Sequence, residues 1–289
     1  LQQIHRQANG SSIIDNAHTI NKGIMPRRAD DFCLYFTTEQ KFPTNIILDL
    51  IDKDPEFFEA TKQIITPSRN SWVGTNKLNS LIQMKRFGDR LEEGYPIERH
   101  KWAKPQEFYL FVGDKVIFTK NNYDLGVFNG ETGIVTSIQL YGDITIDFGD
   151  KVVVIPTSQM LQIYGKTIEY NPQRDIDLAY VITTHKSQGS EYPIVILPMT
   201  HAYHVMLQKK LIYTAITRAK RSLIVIGEYL AFDKGVKNEG EERQTTLRLR
   251  FDLQKEQEPK ENPFADYFKE HHIPFDYLDE EQLEGITPY

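Results

Sequence analysis

The chain has 289 residues, a formal net charge of −6, 40% hydrophobic and 26% charged side chains. That is enough for two domains and a sizeable core, with the composition of a soluble globular protein. No apolar run approaches the ~20 residues that a membrane span needs, and a single cysteine, Cys33, excludes an internal disulfide and fits a reducing cytoplasm.

The first residues, Leu1-Gln-Gln-Ile-His-Arg6, carry no initiator Met and no signal peptide, so the chain reads as a fragment of a larger protein. Asn9-Gly10-Ser11 matches a glycosylation sequon by chance. Charge is uneven. Residues 251–289 hold eleven acidic and three basic side chains. Residues 1–250 keep 31 of the 34 basic and 29 of the 40 acidic residues, a net of +2. That balance permits nucleic acid without demanding it.

In chain order, Leu1–Gly23 reads as a helix, with Ile13, Ile14, Ala17 and Ile20 at helical spacing. Gly23 and Pro26 stop it. Phe32–Phe36 is a predicted strand. Asn45–Ile51 and Asp54–Gln63 are predicted helices, Gln63–Thr66 a buried strand ended by Pro67, and Gly74–Gln83 a helix lined by Leu78, Leu81 and Ile82. Strands alternating with helices imply a parallel sheet. From Phe108 to Tyr164 the pattern changes to short strands and tight turns, among them Asn129-Gly130 and Gly149-Asp150. Some five strands there suit a small closed barrel of SH3-like type. The α/β pattern then resumes. Leu178–Thr183 and Ile194–Leu197 are near-continuous apolar runs, as buried parallel strands are. Gln208–Ala219 is a predicted helix and Ser222–Ile226 the last strand. The expected division is 1–105 and 167–250 for an α/β domain in two parts, 106–166 for an inserted barrel, and 251–289 for an acidic tail.

Gly165-Lys166-Thr167 resembles the end of a phosphate loop. The loop also needs a glycine at position 160, which is Met, and a helix afterwards, where Ile168–Pro172 reads as a linker. It is expected to be a turn, and no other segment offers a Walker A pattern. Thr183-Thr-His-Lys-Ser-Gln-Gly-Ser-Glu191 is predicted to join a strand to a helix start. Hydroxyls, an imidazole and open N–H groups there can hold phosphates, and Gly189 lets backbone approach a ligand. An ordinary capped helix explains the same residues. Tyr213-Thr-Ala-Ile-Thr-Arg-Ala219 puts Arg218 on the polar side of a predicted helix, where it can stabilise a transferring γ-phosphoryl group or form a surface ion pair. Arg6 has the same two readings.

Taken together, Leu1–Gln7 with Ala17-His-Thr-Ile-Asn-Lys-Gly23, Ile65-Thr-Pro-Ser with Gly74-Thr-Asn-Lys-Leu-Asn79, Thr184-His-Lys-Ser-Gln-Gly-Ser-Glu191 and Tyr213–Ala219 resemble the second RecA-like domain of superfamily 1 helicases, in their RecD-like branch. The quoted segments match its motif IV region, the segment after it, motif V and motif VI. Val112-Gly-Asp-Lys-Val-Ile and Phe128-Asn-Gly-Glu-Thr-Gly133 resemble that family's inserted barrel. The resemblance covers about residues 1–250.

The resemblance implies an α/β, RecA-like fold of P-loop-NTPase type without its own Walker A loop. It implies ATP and Mg2+ as cofactors, held mainly by an absent N-terminal RecA-like domain of the same protein. Arg218 becomes the arginine finger and Arg6 a second γ-phosphate contact. Gly189 and Glu191 face the nucleotide. Thr184, His185, Asn76 and the backbone near Thr66 and Pro67 hold single-stranded DNA. No metal ligand is expected here. The inserted segment is acidic, with three basic and seven acidic residues from Gln106 to Gly165. Lys120, Asn122 and Tyr123 form its one plausible DNA strip, with Tyr123 able to stack on a base or to pack in the barrel. The isolated chain is expected to be inactive, as part of a 5′→3′ DNA helicase in the cytoplasm. Three rivals stay open: the α subunit of a RecBCD-type complex with RecB/RecC-like partners, a 3′→5′ UvrD-like enzyme, and a non-catalytic binding module.

Overall fold

A computed structural model describes residues 11–38, 42–53, 62–97, 108–163, 166–203 and 206–240. Arg6 with the rest of 1–10, the region 54–61 of the expected second helix, and the acidic segment 251–289 lie outside the described residues.

Helix α1 spans Ser12–Asn21. Ser11 caps it, its hydroxyl accepting from the Ile13 N–H at 3.2 Å. Asp31 fixes the same turn, accepting from the Ser11 hydroxyl at 2.8 Å, from the Ser12 N–H at 3.0 Å and from the Ser12 hydroxyl. Burial alone would raise the Asp31 pKa, but the hydrogen bonds from Ser12 and Ser11 hold it below the ordinary value. Strand β1 is Phe32–Thr37, helix α2 Phe42–Lys53, β2 Lys62–Thr66 and α3 Thr75–Phe87. Then come β3 (Tyr95–Ile97), β4 (Phe108–Leu110), β5 (Lys115–Phe118), β6 (Thr132–Ile138), β7 (Ile144–Asp147), β8 (Val152–Ile155), β9 (Gln159–Ile163), β10 (Lys166–Tyr170) and β11 (Ile176–Leu178). The chain continues through β12 (Val181–Thr183), β13 (Tyr192–Met199), α4 (Lys209–Ile216), β14 (Ala219–Glu228) and α5 (Tyr229–Lys237).

Strands β1-β14-β13-β2-β12, in that order, form one parallel sheet. The order decides where the helices go. The step from β1 to β2 runs one way across the sheet, and the step from β13 to β14 runs the other. With both crossovers right-handed, α2 and α4 fall on opposite faces. The packing agrees: α4 contacts α1 and α5, while α2 contacts α3. Ile64, Ile65, Val195, Ile196, Leu223 and Val225 form the buried centre, as expected for strands covered on both sides.

The insertion is antiparallel. Its main sheet has the order β11-β5-β6-β7-β8, beside the hairpins β3-β4 and β9-β10. Its ladders reach from Tyr95 to Leu178, beyond the span 106–166. Among the described residues no ladder joins β8 to β11.

Two strand assignments change. Lys166–Tyr170, expected as a turn and linker, is β10, paired in register with β9. Lys166, Thr167, Ile168 and Glu169 are all exposed, so no buried face marks the strand, and the partner strand supplies the order. The apolar run Leu178–Thr183, expected as one strand, is two. Leu178 ends β11 against β5, and Val181 begins β12 against β2. Two buried amides hold the break. The Asn79 side chain donates to Leu178 O at 3.2 Å and Val181 O at 3.0 Å, and accepts from the Val181 N–H at 2.8 Å. The Gln63 amide donates to Ala179 O at 3.0 Å and Tyr180 O at 3.2 Å. Asn79→Leu strands these backbone groups and is expected to cost about 2–4 kcal/mol of stability by urea unfolding. A loss within error of zero would mean that other groups satisfy the junction.

Candidate functional site

Because the five strands are parallel, Thr37, Thr66, Thr183, Met199 and Glu228 end on one edge of the sheet, and Lys62, Tyr192 and Ala219 begin on the other. Residues 184–191 connect these edges. Thr183 is in register with Thr66, whereas Ile194 is in register with Lys62. The segment therefore runs back past at least four rungs, roughly 13 Å at ~3.3 Å per residue. It does so as a series of turns, not as the expected helix start. Gly189 lies at φ +88°, a left-handed conformation that glycine adopts without cost, and a Cβ there would meet nothing within 4 Å, so its backbone faces open space.

At the second edge the segment meets Arg218. Helix α4 ends at Ile216, and Thr217 caps it. Arg218 thus stands in the turn before β14, not on the polar side of a helix as expected, and it is only 7% exposed. Its Nη1 donates to Ser190 O at 3.2 Å, its Nε to Thr214 O at 3.1 Å and its Nη2 to Thr217 Oγ1 at 3.3 Å. Its carbonyl accepts from the Tyr192 N–H at 2.9 Å. The guanidinium and the Gly189–Glu191 turn are thereby one assembly. Burial raises the pKa of the neighbouring Tyr192, and the Arg218 charge works against that shift. Glu191, next in the turn, pairs with Lys220 at 2.8 Å. Arg218 is thus a buried, fixed cation beside an open glycine backbone. Among the described residues there is no group of three or more His, Cys, Asp and Glu placed to hold a metal ion.

At the first edge the expected contact residues divide into buried and exposed ones. Thr184 is 1% exposed, its N–H donates to Thr66 O at 3.0 Å, and its hydroxyl is buried without a hydrogen-bond partner among the described residues. Thr66 is buried too, its hydroxyl 2.8 Å from Tyr203 Oη, and Pro67 is buried beside it. The side chains of all three are buried, and the contact expected at Thr66 and Pro67 is a backbone one. They brace the strand ends. His185 and Asn76 are exposed, and the Asn76 amide donates to Asn70 Oδ1 at 2.8 Å.

In the insertion, Asn122 is buried. It donates to Gln159 Oε1 at 2.8 Å and accepts from the Leu125 N–H at 3.1 Å, so it is a turn residue and not a surface contact. Lys120 pairs with Asp175 at 2.9 Å. Tyr123 is 75% exposed and lies edge-on to Phe128 at 6.0 Å, which leaves most of its ring open.

Comparison with known proteins follows these landmarks. The family model described as the UvrD-like helicase C-terminal domain matches residues 178–226, a span containing the whole returning segment and Arg218. The chain is 28% identical over 253 residues to the ATP-dependent RecD2 DNA helicase of Deinococcus radiodurans, covering 86% of this chain and 31% of that protein. It is 26% identical over 175 residues to the RecBCD enzyme subunit RecD of Buchnera aphidicola subsp. Schizaphis graminum, covering 60% and 26%. The chain is a relative of the RecD-like superfamily 1 helicases. It spans less than a third of the length of these two. The crystal structure of Pif1 helicase from Candida albicans shares the fold, with a TM-score of 0.51 at 17% identity over 88% of this chain and 60% of that one.

Within the RecD-like frame, motif reasoning singled out residues by type and could not tell an exposed polar group from a buried one. It also passed over Gln63, Asn79 and Asp114, all buried polar residues at the seam between the parallel sheet and the insertion. Asn79 does interrupt the apolar stripe of α3, which is a legible sign of a buried hydrogen bond. No described helix is long and apolar enough to cross a membrane.

Proposed function

We propose that the chain is the C-terminal motor half of an ATP-dependent 5′→3′ DNA helicase that translocates on single-stranded DNA. The observation that carries this is the returning segment. One short stretch has His185 at the strand ends and Gly189–Glu191 against Arg218 at the opposite edge, so a nucleotide event at one edge can move a DNA contact at the other.

In this reading an N-terminal RecA-like domain binds ATP and Mg2+, which supply the reacting phosphoryl group and its charge neutralisation. This chain's part is to close the pocket. Arg218 lies against the γ-phosphate side, and Gly189 lets backbone N–H groups come near it. Arg6 would add a second cation. Glu191, freed from Lys220, would accept from the sugar. His185 and Asn76 would touch the DNA backbone, and Tyr123 with Lys120 would extend the path over the insertion. That insertion is read as an SH3-like barrel, a reading supported by Val116, Phe118, Val135, Ile146 and Ile155 buried together on one side of its strands.

In the intact protein, single-stranded DNA should stimulate ATP hydrolysis, duplexes with a 5′ tail should be unwound, and the 289-residue chain alone should hydrolyse no ATP. Unwinding confined to 3′-tailed duplexes, or hydrolysis by this chain alone, would refute the assignment. The likeness to a RecBCD enzyme subunit favours a second reading, a subunit with RecB/RecC-like partners. Co-purification from the native source distinguishes it.

A further inference from the structure

A groove of about 560 Å³, lined by Ser68, Asn70, Ser71, Trp72, Lys77 and Ala202, opens beside the strand-end edge. Trp72 is 58% exposed, and the Lys77 ammonium sits 5.9 Å from its ring centroid. Among the described lining residues none is acidic, and Lys77 carries the one formal charge.

The loop that presents this indole is stiff. The Thr75 N–H donates to Ser68 O at 3.1 Å, the Asn76 N–H to Arg69 O at 3.1 Å and the Gly74 N–H to Ser71 O at 2.9 Å. The next residue, Val73, is fully buried, and its carbonyl accepts from Tyr203 Oη at 3.0 Å. A Cβ on Gly74 would lie 2.5 Å from Arg69 O, so the turn closes only around glycine. A large ring is thus held outward by backbone that has little freedom to fold it away. The same Tyr203 hydroxyl reaches Thr66, whose carbonyl accepts from Thr184 next to His185. The groove therefore continues the line of strand ends on which the proposed DNA contact lies.

We propose that Trp72 is a stacking platform for one base of single-stranded DNA, with Lys77 meeting an adjacent phosphate. This rests on the DNA reading above and adds a site to it. Base–aromatic stacking accepts every base, which suits a translocating enzyme. A cation next to the ring suits a polyanion. A duplex keeps its base faces covered, so the platform selects single strands.

The sequence has two tryptophans, and Trp102→Phe leaves Trp72 as the sole tryptophan of the 289-residue chain, excited selectively at the red edge of the absorption band where tyrosine contributes little. Titration with an oligothymidylate of about 16 nucleotides should quench that fluorescence saturably. Trp72→Ala and Trp72→Leu should each weaken binding about 10-fold, while Trp72→Phe stays within about threefold. Stacking releases no counterion. The salt dependence of the Trp72 variants should therefore match the parent's, whereas Lys77→Ala should lose about one unit of slope. Binding with normal affinity in the alanine and leucine variants and no quenching overturns the platform and leaves the DNA reading standing. A loss of affinity that appears as a reduced salt slope also overturns it. Absence of any oligonucleotide binding removes the DNA reading of the chain, and the platform with it.

Discussion

Arg218→Ala in the intact protein is expected to lower DNA-stimulated ATP turnover by ~10³-fold or more, with single-strand affinity in the absence of ATP retained. The geometry explains why so much would hang on one side chain. The acceptors that hold the guanidinium, Ser190 O, Thr214 O and Thr217 Oγ1, are neutral oxygens. They fix the orientation of the cation. A group positioned in advance stabilises developing charge without reorganising when the reaction occurs. Arg218→Lys keeps a charge but loses the planar fork that spans Ser190 and Thr217, and it should be almost as slow. Because the side chain also ties the end of α4 to the Ser190 turn, the melting temperature must be followed alongside. A folded alanine variant with near-normal turnover would rule out the finger role.

The parallel sheet was legible because its strands are apolar runs of the right length. Ser222-Leu-Ile-Val-Ile226 and Ile194-Val-Ile-Leu197 can hardly be anything else. The break inside Leu178–Thr183 was not, because both halves are apolar and buried. What separates them is Asn79 and Gln63, about a hundred positions away in sequence. The segment 184–191 was legible as the junction after a buried strand, and its turn conformation was not. Its conformation is set by where β13 must start, which is tertiary information. Thr66, Thr184 and Asn122 show the same limit from another side. A threonine or asparagine next to a strand end can face solvent or satisfy a buried neighbour, and its type alone does not choose. Trp72 belongs to no repeating pattern, and only the ties that hold its loop make it stand out.

The second large effect concerns Asp114, at the seam between α3 and the insertion. Its carboxylate accepts from the Gln83 amide at 2.7 Å, the Phe111 N–H at 2.8 Å and the Tyr180 hydroxyl. Arg86 donates to the Tyr180 hydroxyl at 2.8 Å and to Gly113 O at 2.9 Å. Burial pushes the Asp114 pKa up to about 6 from 3.8, against the opposing pull of these hydrogen bonds and of Arg86. A raised carboxylate pKa means that the folded protein holds the proton more tightly than the unfolded chain. The stabilisation is complete below about pH 4 and is lost as the pH climbs through about 6. The shift corresponds to about 3 kcal/mol. Lys115, whose pKa burial lowers to about 8, titrates above this window. Urea unfolding at a series of pH values should therefore show stability falling between pH 4 and 7, and Asp114→Asn should remove this group's share of the slope. Parallel curves for the two proteins would contradict that assignment. Asp114→Leu should cost about 4 kcal/mol even at pH 5, since it leaves the Phe111 N–H and the Tyr180 hydroxyl without their acceptor and the Gln83 amide with Tyr109 O alone. Because these donors come from α3, the insertion and the crossing before β12, the loss should loosen the insertion from the motor sheet first. Hydrogen exchange at β5 and β11 rising ahead of exchange at β13 would register it.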